Sequence, residues 1–587
     1  MSNNQKLFYT EQIQKHTVLL EKAKKQHRFY TIARLFAFLL IVSSIYFLNW
    51  GTVLLIVSVL GIALFLFLVN KWLDAKIEKE KEELFIELNQ SELRVIDGDW
   101  SDFPDGNEFK SVKHPYAADM DLFGPKSVFQ YINRTVLPMG ASRLAETLAF
   151  GAKSKALNQV MINELSEQVE WAQKFVVESK VYLKNEERQQ ALNSLKDNQF
   201  GGDSIKILRW ILPVISIISI VLYNLDSISS STLMLIGIGV LMIIGSRLKQ
   251  TNKWMHLMSN RAEKINALNQ QLELFKQLNL KSEEGKSYQN QLFGKTGMND
   301  GLKELIVIRK RAEFRMNVIV GLLLNYLFAW DFHLLVKSKT WHKKYASELE
   351  NWESYMAEIE VWISGAIYKY NRGEVCFVEE DSTKFEVVGL GHPFVPTQKQ
   401  VTNDFTMTAN ESFLIITGPN MAGKSTYLRS VGLAIISANA GFPVVAQKCV
   451  LPSIKLYSSM RTSDDLTVES SYFHAELTRL RFIMDAIESG EKVFVILDEI
   501  LKGTNSKDKE IGSAGFLQKL KSIGARGIIA THDLSLTELS NQTDSFRNVY
   551  FDSIIEGENL YFDYKIRNGV CQNMNASFLL KQMKLVD

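Results

Sequence analysis

The sequence predicts a chain in two parts, an all-helical first part with two apolar hairpins and an α/β domain at the carboxyl end. Up to about residue 373, apolar residues come in long uncharged runs or at helical spacing. Beyond that point, short β-branched runs alternate with helical stretches, which is typical of a sheet covered by helices. At 587 residues the chain is long enough for several domains.

The first apolar hairpin is predicted from two runs without a charged residue, 35–48 and 53–69. The turn signal Asn49-Trp50-Gly51 separates them, and its tryptophan is of the kind found at membrane interfaces. Arg34 precedes the pair and Lys71 follows it, so both ends are expected on the cytoplasmic side. A helical hairpin buried in a soluble core is the alternative.

A second hairpin repeats this design with apolar runs over 211–223 and 232–245, joined by a polar loop over 224–229. Lys206 precedes it and Arg247 follows it, so the same orientation is expected. These runs are shorter than the roughly 20 residues that a spanning helix needs, which leaves the soluble alternative open here too.

Other helices of the first part are predicted to be soluble. The apolar stretch 318–335 contains Asp331, and because an acid inside a bilayer is costly, we expect a buried soluble helix there. Residues 74–93 predict a charged helix, and 153–196 and 251–279 predict long helices on either side of the second hairpin. A coiled-coil-like seam is predicted from the spacing of Ile265, Leu268, Leu272 and Phe275.

The strongest motif of the chain matches G-x-x-x-x-G-K-[ST], follows an apolar strand over 413–417 and leads into a helix over 427–437. Backbone N–H groups of such a loop and the helix amino terminus bind phosphates. We therefore expect Lys424 to reach the β- and γ-phosphates of ATP and the Ser425 hydroxyl to bind Mg²⁺. The predicted nucleotide contacts are Gly418, Pro419, Asn420, Met421, Ala422, Gly423, Lys424, Ser425 and Thr426.

Two further strands end in residues suited to phosphoryl transfer. The run 493–497 ends in Asp498-Glu499, which predicts Asp498 near Mg²⁺ and Glu499 as the general base that polarises the attacking water. The run 527–530 is followed by His532, which we expect to contact the γ-phosphate as a sensor.

These motifs resemble those of the MutS mismatch-repair family. Residues 414–429 resemble its P-loop, 498–505 its Walker B and D-loop run, 530–533 its histidine motif, and 464–476 its signature loop. The resemblance implies an α/β P-loop ATPase domain of the ABC type. It also implies a dimer of identical chains with composite ATP sites, in which Ser471 reaches the partner's nucleotide; Ser470 is the close alternative.

A weaker resemblance to the family's all-α core and lever domain begins at Asp121-Leu-Phe-Gly124 and continues to Leu144. In mismatch-repair members the levers carry a DNA clamp, and here the second apolar hairpin takes that position. The residues before Asp121 are too few and too apolar for mismatch-recognition and connector domains. The resemblance thus implies a membrane-anchored member that lacks both domains.

Bulk composition narrows the function only slightly. A formal net charge of +2 gives no support to a dedicated nucleic-acid binder, and the basic cluster within 337–344 is explained as well by a solvated helix face. The three cysteines lie far apart without metal-ligand spacing, which fits a reducing compartment and three buried thiols.

Two functions therefore stay open. One is a membrane-anchored, ATP- and Mg²⁺-dependent MutS-family ATPase that processes DNA, and the other is an ATP-driven membrane conformational or signalling device that does not bind DNA. An ABC-type transporter is the weaker alternative, because the chain lacks a Leu-Ser-Gly-Gly-Gln signature. The expected partners are a second copy of the chain, the lipid bilayer and, for the first function, DNA. The expected location is a membrane crossed by about four helices, with the ATPase domain and both termini cytoplasmic.

The predicted domains can be stated in chain order. They are a cytoplasmic helix over 1–30, a transmembrane hairpin over 31–72, a charged helix and linker over 73–118, a MutS-like helical core and lever domain over 119–375 with the second hairpin at about 207–247, and the ATPase domain over 376–587.

Overall fold

A helical first part is followed by an α/β domain, as the sequence predicts. The computed structural model describes residues 2–47, 52–111, 113–183, 204–294, 297–316, 318–460, 472–502, 506–556 and 559–572. The helices of the first part are α1 (Ser2–Phe47), α2 (Thr52–Asp97), α3 (Val128–Ile132), α4 (Pro138–Phe150), α5 (Lys155–Ser166), α6 (Val169–Lys180), α7 (Ile205–Asn224), α8 (Ser230–Gly245), α9 (Leu248–Asn260), α10 (Ala262–Gln277), α11 (Glu283–Gly294), α12 (Met298–Glu313), α13 (Val318–Phe328), α14 (Trp330–Tyr345) and α15 (Leu349–Arg372).

Helices α1 and α2 form a long antiparallel pair of 46 residues each, so each is about 70 Å long. The buried ring of His16 contacts the Glu82 carboxylate at 2.6 Å across the pair. The charged helix predicted over 74–93 is the second half of α2 and continues from the apolar half without a break. The turn of the first predicted hairpin, residues 48–51, lies outside the described residues.

The long soluble helices predicted around the second hairpin are divided. The described part of 153–196 forms α5 and α6, and 251–279 forms α9 and α10 with a break at Arg261. Arg261 is buried, and its guanidinium donates to the Leu257 carbonyl within the turn that ends α9. The predicted seam on α10 is buried as expected, but it packs in the central core against α6 and α12.

Helices α7, α8 and α13, here called the apolar trio, expose many apolar side chains, and their shared interior contains Leu212 and Val240. On α7, Ser216 and Ser219 are 0% and 3% exposed, whereas Ile207 and Ile218 are 65% and 52% exposed. Among the described residues, α7 is the one helix that is long and apolar enough to cross a membrane. Two bent pairs, α8 with α9 and α13 with α14, meet the same criterion if each pair counts as one span.

The prediction of one helix over 318–335 is wrong, because the structure has two, and its soluble character stays a prediction. The stretch divides at Ala329, which takes a left-handed conformation with φ 46°, and Val320–Phe328 is bent by 79° from the helical run Trp330–Arg372 that begins with α14. Asp331 is buried at the start of α14, as the prediction required, whereas α13 exposes Leu322 and Leu323. The polar and apolar halves of the stretch therefore lie in different surroundings.

The α/β domain contains two sheets. Its strands are β1 (Glu379–Glu380), β2 (Phe385–Leu390), β3 (Asn403–Met407), β4 (Phe413–Thr417), β5 (Lys448–Leu451), β6 (Lys455–Ser459), β7 (Val493–Asp498), β8 (Arg526–Ala530), β9 (Phe546–Phe551), β10 (Ile554–Glu556), β11 (Asn559–Tyr561) and β12 (Ile566–Asn568), and its helices are α16 (Lys424–Ala440), α17 (Tyr472–Glu488), α18 (Ser506–Ser522) and α19 (Leu539–Gln542). The main sheet has the order β12-β9-β4-β8-β7-β6, in which β9, β4, β8, β7 and β6 are parallel. A smaller sheet has the order β1-β5-β2-β3.

The edge of the main sheet at β6 is joined to the helical part by buried hydrogen bonds. The Ser458 hydroxyl donates to the Asp119 carboxylate at 2.6 Å, and the Ser458 amide donates to the Pro115 carbonyl at 3.0 Å. Arg479 of α17 donates to the carbonyls of both His114 and Pro115. The segment before α3 is thereby fixed to the domain through its backbone.

Candidate nucleotide site

The loop of residues 418–423, here called the glycine loop, connects β4 to α16. Gly418 has φ +141°, and a Cβ at this position would lie 2.5 Å from the Phe551 carbonyl oxygen. Gly423 precedes α16 with φ +103°, a conformation that favours glycine. Both glycines are therefore required by the backbone. Ala422 is fully buried beneath the loop, whereas Met421 is 82% exposed.

Lys424, the first residue of α16, folds back under the glycine loop. Its Nζ donates to the carbonyl oxygens of Gly418 at 2.7 Å and Pro419 at 2.9 Å. Burial lowers the pKa of this ammonium group, and the nearby carboxylates of Glu499 and Asp498 oppose that shift. The structure thus holds a largely buried cation directly under the loop, where a phosphate would be bound.

Ser425 and Asp498 are brought together from different elements. The Ser425 hydroxyl donates to Asp498 Oδ2 at 2.8 Å. Burial raises the pKa of Asp498, and the hydrogen bond from Ser425 acts in the opposite direction. A hydroxyl beside a carboxylate is an oxygen pair of the type that Mg²⁺ binds. In the described part of the chain, no group of three or more His, Cys, Asp or Glu side chains could hold a metal ion. Phosphate and water oxygens would complete this site.

Glu499 follows β7 in a left-handed conformation with φ +50°. Its amide donates to the Ala530 carbonyl at 2.9 Å, which fixes the strained residue to the end of β8. Its Oε1 lies 3.0 Å from His532 Nε2, and Lys502 Nζ lies 3.3 Å from Oε2. The hydrogen bond from His532, with help from Lys502, lowers the pKa of Glu499 to about 2.

His532 lies at the centre of the cluster. Its Nε2 is 2.8 Å from Asn420 Oδ1, 3.0 Å from Glu499 Oε1 and 3.4 Å from Lys424 Nζ. The Asn420 side chain is a contact that the motif alone does not reveal, because the sequence predicts only that Asn420 touches the nucleotide. The imidazole therefore connects the glycine loop to the residue after β7.

The convergence follows from strand order. β8 lies between β4 and β7, all three are parallel, and their carboxyl ends meet at one edge of the sheet. Every residue of β4 is buried, whereas β7 ends in Asp498 and is followed by Glu499, and β8 is followed by Thr531-His532. Because the strands are buried side by side, Lys424, Asp498 and His532 lie close together at this edge of the sheet, although they are far apart in the chain.

The comparisons with known proteins concern this domain. A family model described as MutS domain V matches residues 414–585. The DNA mismatch repair protein MutS of Thermotoga sp. (strain RQ2) is 36% identical over 204 residues, which cover 34% of this chain and 25% of the relative. The α/β domain is therefore a MutS-family domain.

More distant MutS proteins match over a similar length. The DNA mismatch repair protein MutS of Geobacillus sp. (strain WCH70) is 29% identical over 245 residues, which cover 41% of this chain and 28% of that protein. The one from Fusobacterium nucleatum is 34% identical over 195 residues, covering 32% and 22%. The chain therefore spans about a quarter of the length of the curated MutS relatives that it matches.

Parts of the predicted MutS-type site lie outside the described residues. These include both signature-serine alternatives, Ser470 and Ser471, and the run 503–505 of the predicted D-loop. Thr426 is described and is exposed on the first turn of α16. The roles assigned to all these residues stay predictions.

Glu476 lies near the site, but no role is predicted for it from the sequence. Glu476 of α17 is 3% exposed, and its Oε1 accepts a hydrogen bond from the Leu501 amide at 2.5 Å. The contact joins α17 to the turn after β7, across 25 residues of sequence. The sequence contained a partial indication, because Glu476 is the last residue of the segment that resembles the signature loop. It did not indicate the contact with Leu501.

Proposed function

We propose that this MutS-family chain is an ATPase that hydrolyses ATP with Mg²⁺ and is anchored in a membrane by its apolar helices. The observation that carries the ATPase proposal is the meeting of Lys424, Ser425, Asp498, Glu499 and His532 at the carboxyl ends of adjacent parallel strands. A buried cation, a hydroxyl–carboxylate pair and an ionised acid are the groups that phosphoryl transfer requires.

Each group has a role that follows from its position. Lys424 binds the β- and γ-phosphates, and its partial burial strengthens that attraction because little water screens the charge. Ser425 and Asp498 would hold Mg²⁺, and the bound ion would supply charge neutralisation on the phosphate oxygens.

Glu499 orients and polarises the attacking water. Its low pKa makes the carboxylate an ionised acceptor at neutral pH, so its main contribution is electrostatic positioning of that water. His532, which contacts both Asn420 and Glu499, detects the γ-phosphate. A phosphate that draws the imidazole away from Glu499 frees that carboxylate for water, which couples phosphate binding to hydrolysis.

The membrane part of the proposal is supported by the inverted polarity of α7. In water, serines would face out and isoleucines in, whereas here Ser216 and Ser219 are buried and Ile207, Val214 and Ile218 are exposed. Small polar residues at helix contacts and apolar residues outside are typical of helices surrounded by lipid. On the first hairpin, Arg34 lies 4.4 Å over the ring of Trp72, a pair suited to the membrane interface.

We also propose that the active form is a homodimer in which Ser471 reaches the partner's nucleotide, as the MutS resemblance implies. The substitution Glu499→Gln tests this, because a site that binds ATP without hydrolysing it should accumulate the ATP-bound dimer. Mass photometry of the nanodisc-reconstituted protein with ATP should then show particles heavier by one further chain of 67.0 kDa. A variant that stays monomeric with ATP bound contradicts the composite site.

The output of the ATPase is tested separately. The MutS relatives are named for DNA mismatch repair, so DNA processing is one candidate output, and the apolar helices favour membrane work as the other. ATPase activity of the full chain in nanodiscs should be measured with no DNA, with matched duplex and with mismatched or branched duplex. Stimulation that weakens as salt rises supports DNA processing. Turnover indifferent to every DNA supports the membrane device.

A further inference from the structure

Helix α13 is apolar on nearly every side. Its sequence has no charged residue, and Leu322, Leu323 and Phe328 are 52%, 55% and 50% exposed. The residues turned inward are the small Gly321 and the polar Asn325. The helix therefore repeats the inverted polarity of α7 within a segment for which the sequence predicts a soluble helix.

The side chains on the inward side of α13 contact the neighbouring helices α14 and α8. Asn325 Oδ1 accepts a hydrogen bond from the Asp331 amide at 2.8 Å and so caps the start of α14. The ring of Tyr326 packs over Gly237 of α8, where an added Cβ would lie 3.4 Å from it. With its one amide side chain satisfied internally, α13 presents hydrocarbon to its surroundings.

A rim of arginine and tryptophan lies beside α13. The Arg209 guanidinium is 5.3 Å from the centre of the Trp210 ring, and Trp330 Nε1 donates to the Arg311 carbonyl at 3.0 Å. Arg315, which precedes α13, pairs with the buried Asp331 at 2.6 Å. Tryptophan and arginine at the end of an apolar surface are typical of the layer of lipid headgroups.

We propose that α13 lies in the lipid beside α7 and α8 as a third membrane-embedded helix, with this rim among anionic headgroups. Its 11 residues give a length of about 16 Å, which is about half the hydrocarbon thickness, so it enters one leaflet without crossing. The inference rests on the proposed membrane anchor.

The test uses the full chain in nanodiscs of phosphatidylcholine and phosphatidylglycerol that contain a phospholipid with a photoactivatable diazirine on its acyl chain. Cross-linked peptides are mapped by mass spectrometry. Lipid adducts are expected on α7 and on residues 320–328, and none on the buried helix α15. Adducts on α7 without any on 320–328 overturn this inference and leave the anchor standing, whereas no adducts on either overturn both.

A matched pair of variants separates lipid from a protein partner. Leu323→Glu should lower the labelling of residues 320–328 at least about fivefold, because a carboxylate is costly in hydrocarbon. Leu477→Glu, on an exposed site of the α/β domain, should leave that labelling unchanged. If Leu323→Glu leaves the labelling of residues 320–328 at the parent level, the labelled lipid does not contact the Leu323 face and the proposal fails.

A second, independent observation concerns the turn after β7. Glu499 and Leu501 both have left-handed backbone conformations, with φ 50° and 59°, which are strained for residues with side chains. The Glu476 carboxylate holds this turn by accepting the Leu501 amide, and both residues are buried. A strained turn needs such a partner to persist.

We infer that Glu476 is a positioning residue for the proposed hydrolysis, acting by fixing the turn that carries Glu499. Two substitutions separate the effect of side-chain length at position 476 from the effect of its charge. Glu476→Gln keeps an acceptor oxygen at the same distance, whereas Glu476→Asp keeps the charge and shortens the side chain by one methylene. Glu488→Asp, at the end of the same helix, is the control, because Glu488 pairs with Arg481 on the surface.

ATP turnover and KM are measured for each variant in nanodiscs. Glu476→Asp should lower kcat about tenfold with KM within about threefold, because nucleotide contacts are unchanged while Glu499 moves. Glu476→Gln should stay within about threefold of the parent, and Glu488→Asp should match it. A parental kcat for Glu476→Asp overturns the inference. Turnover that survives Lys424→Ala would instead overturn the proposed ATPase site.

Discussion

The α/β domain and the apolar trio are opposite in polarity. In the domain, every residue of β4 is buried and the charged groups gather where the strands end. In the trio, Ser216 and Asn325 are buried while Ile218 and Leu323 are about half exposed. Hydrophobic burial against water explains the first arrangement, and the proposed membrane anchor would explain the second by placing the trio in lipid. Each prediction below tests one side of that contrast.

The largest effect is expected from Lys424→Ala in the domain. Removing the buried ammonium should weaken ATP binding at least about 100-fold, or about 2.8 kcal/mol, because Lys424 places its charge directly under the glycine loop. Binding of a fluorescent ATP analogue measures this. Lys455→Ala is the control, since Lys455 pairs with Glu491 near the surface of the same domain. Equal loss in both variants would point to unfolding.

Glu499→Gln should leave ATP binding intact and slow hydrolysis about 100- to 1,000-fold, the range for losing one preorganised electrostatic contact to the reacting groups. Because the pKa of Glu499 is lowered to about 2, its carboxylate is ionised throughout about pH 5–8. The ratio of variant to parent rates in single-turnover assays should therefore not vary with pH in that range. A ratio that approaches one at low pH would mean that Glu499 is protonated there.

On the other side of the contrast, Ile218→Arg should impair insertion of the second hairpin by about 2.5–3.5 kcal/mol. Ile511→Arg, at an equally exposed isoleucine of the α/β domain, should have no effect. Insertion of the full chain into microsomes can be scored by glycosylation of an acceptor placed in the loop 225–229. If the two variants insert equally well, the exposed face of α7 does not meet lipid.

Local sequence patterns were sufficient to predict several strands of the α/β domain. They were insufficient to predict the helix break at Ala329 or the contact of Glu476 with Leu501. The strand over 413–417 lies where the sequence predicts it, because a short apolar run before a glycine loop has one favourable conformation. The left-handed break at Ala329 was not predictable, because it depends on the Asn325 cap and the buried Asp331–Arg315 pair. The Glu476–Leu501 contact depends in the same way on tertiary packing.

The smallest effects come from two buried serines that sharpen the contrast. The Ser458 hydroxyl donates to the Asp119 carboxylate at the edge of the main sheet, so Ser458→Ala should cost about 1.5–3 kcal/mol of stability. The Ser216 hydroxyl has no hydrogen-bond partner within the described part of the chain, so Ser216→Ala should change stability by less than about 0.5 kcal/mol.

Thermal unfolding in nanodiscs compares the two serine variants. Ser216 is fully buried although its hydroxyl is unpaired, which fits selection for a small side chain at a helix contact in lipid. On this account Ser216→Ala is neutral, whereas Ser216→Leu separates the helices and is destabilising. If Ser216→Ala costs as much as Ser458→Ala, the hydroxyl is doing what a buried polar group does in a water-soluble core. That result would contradict the proposal that lipid surrounds the apolar trio.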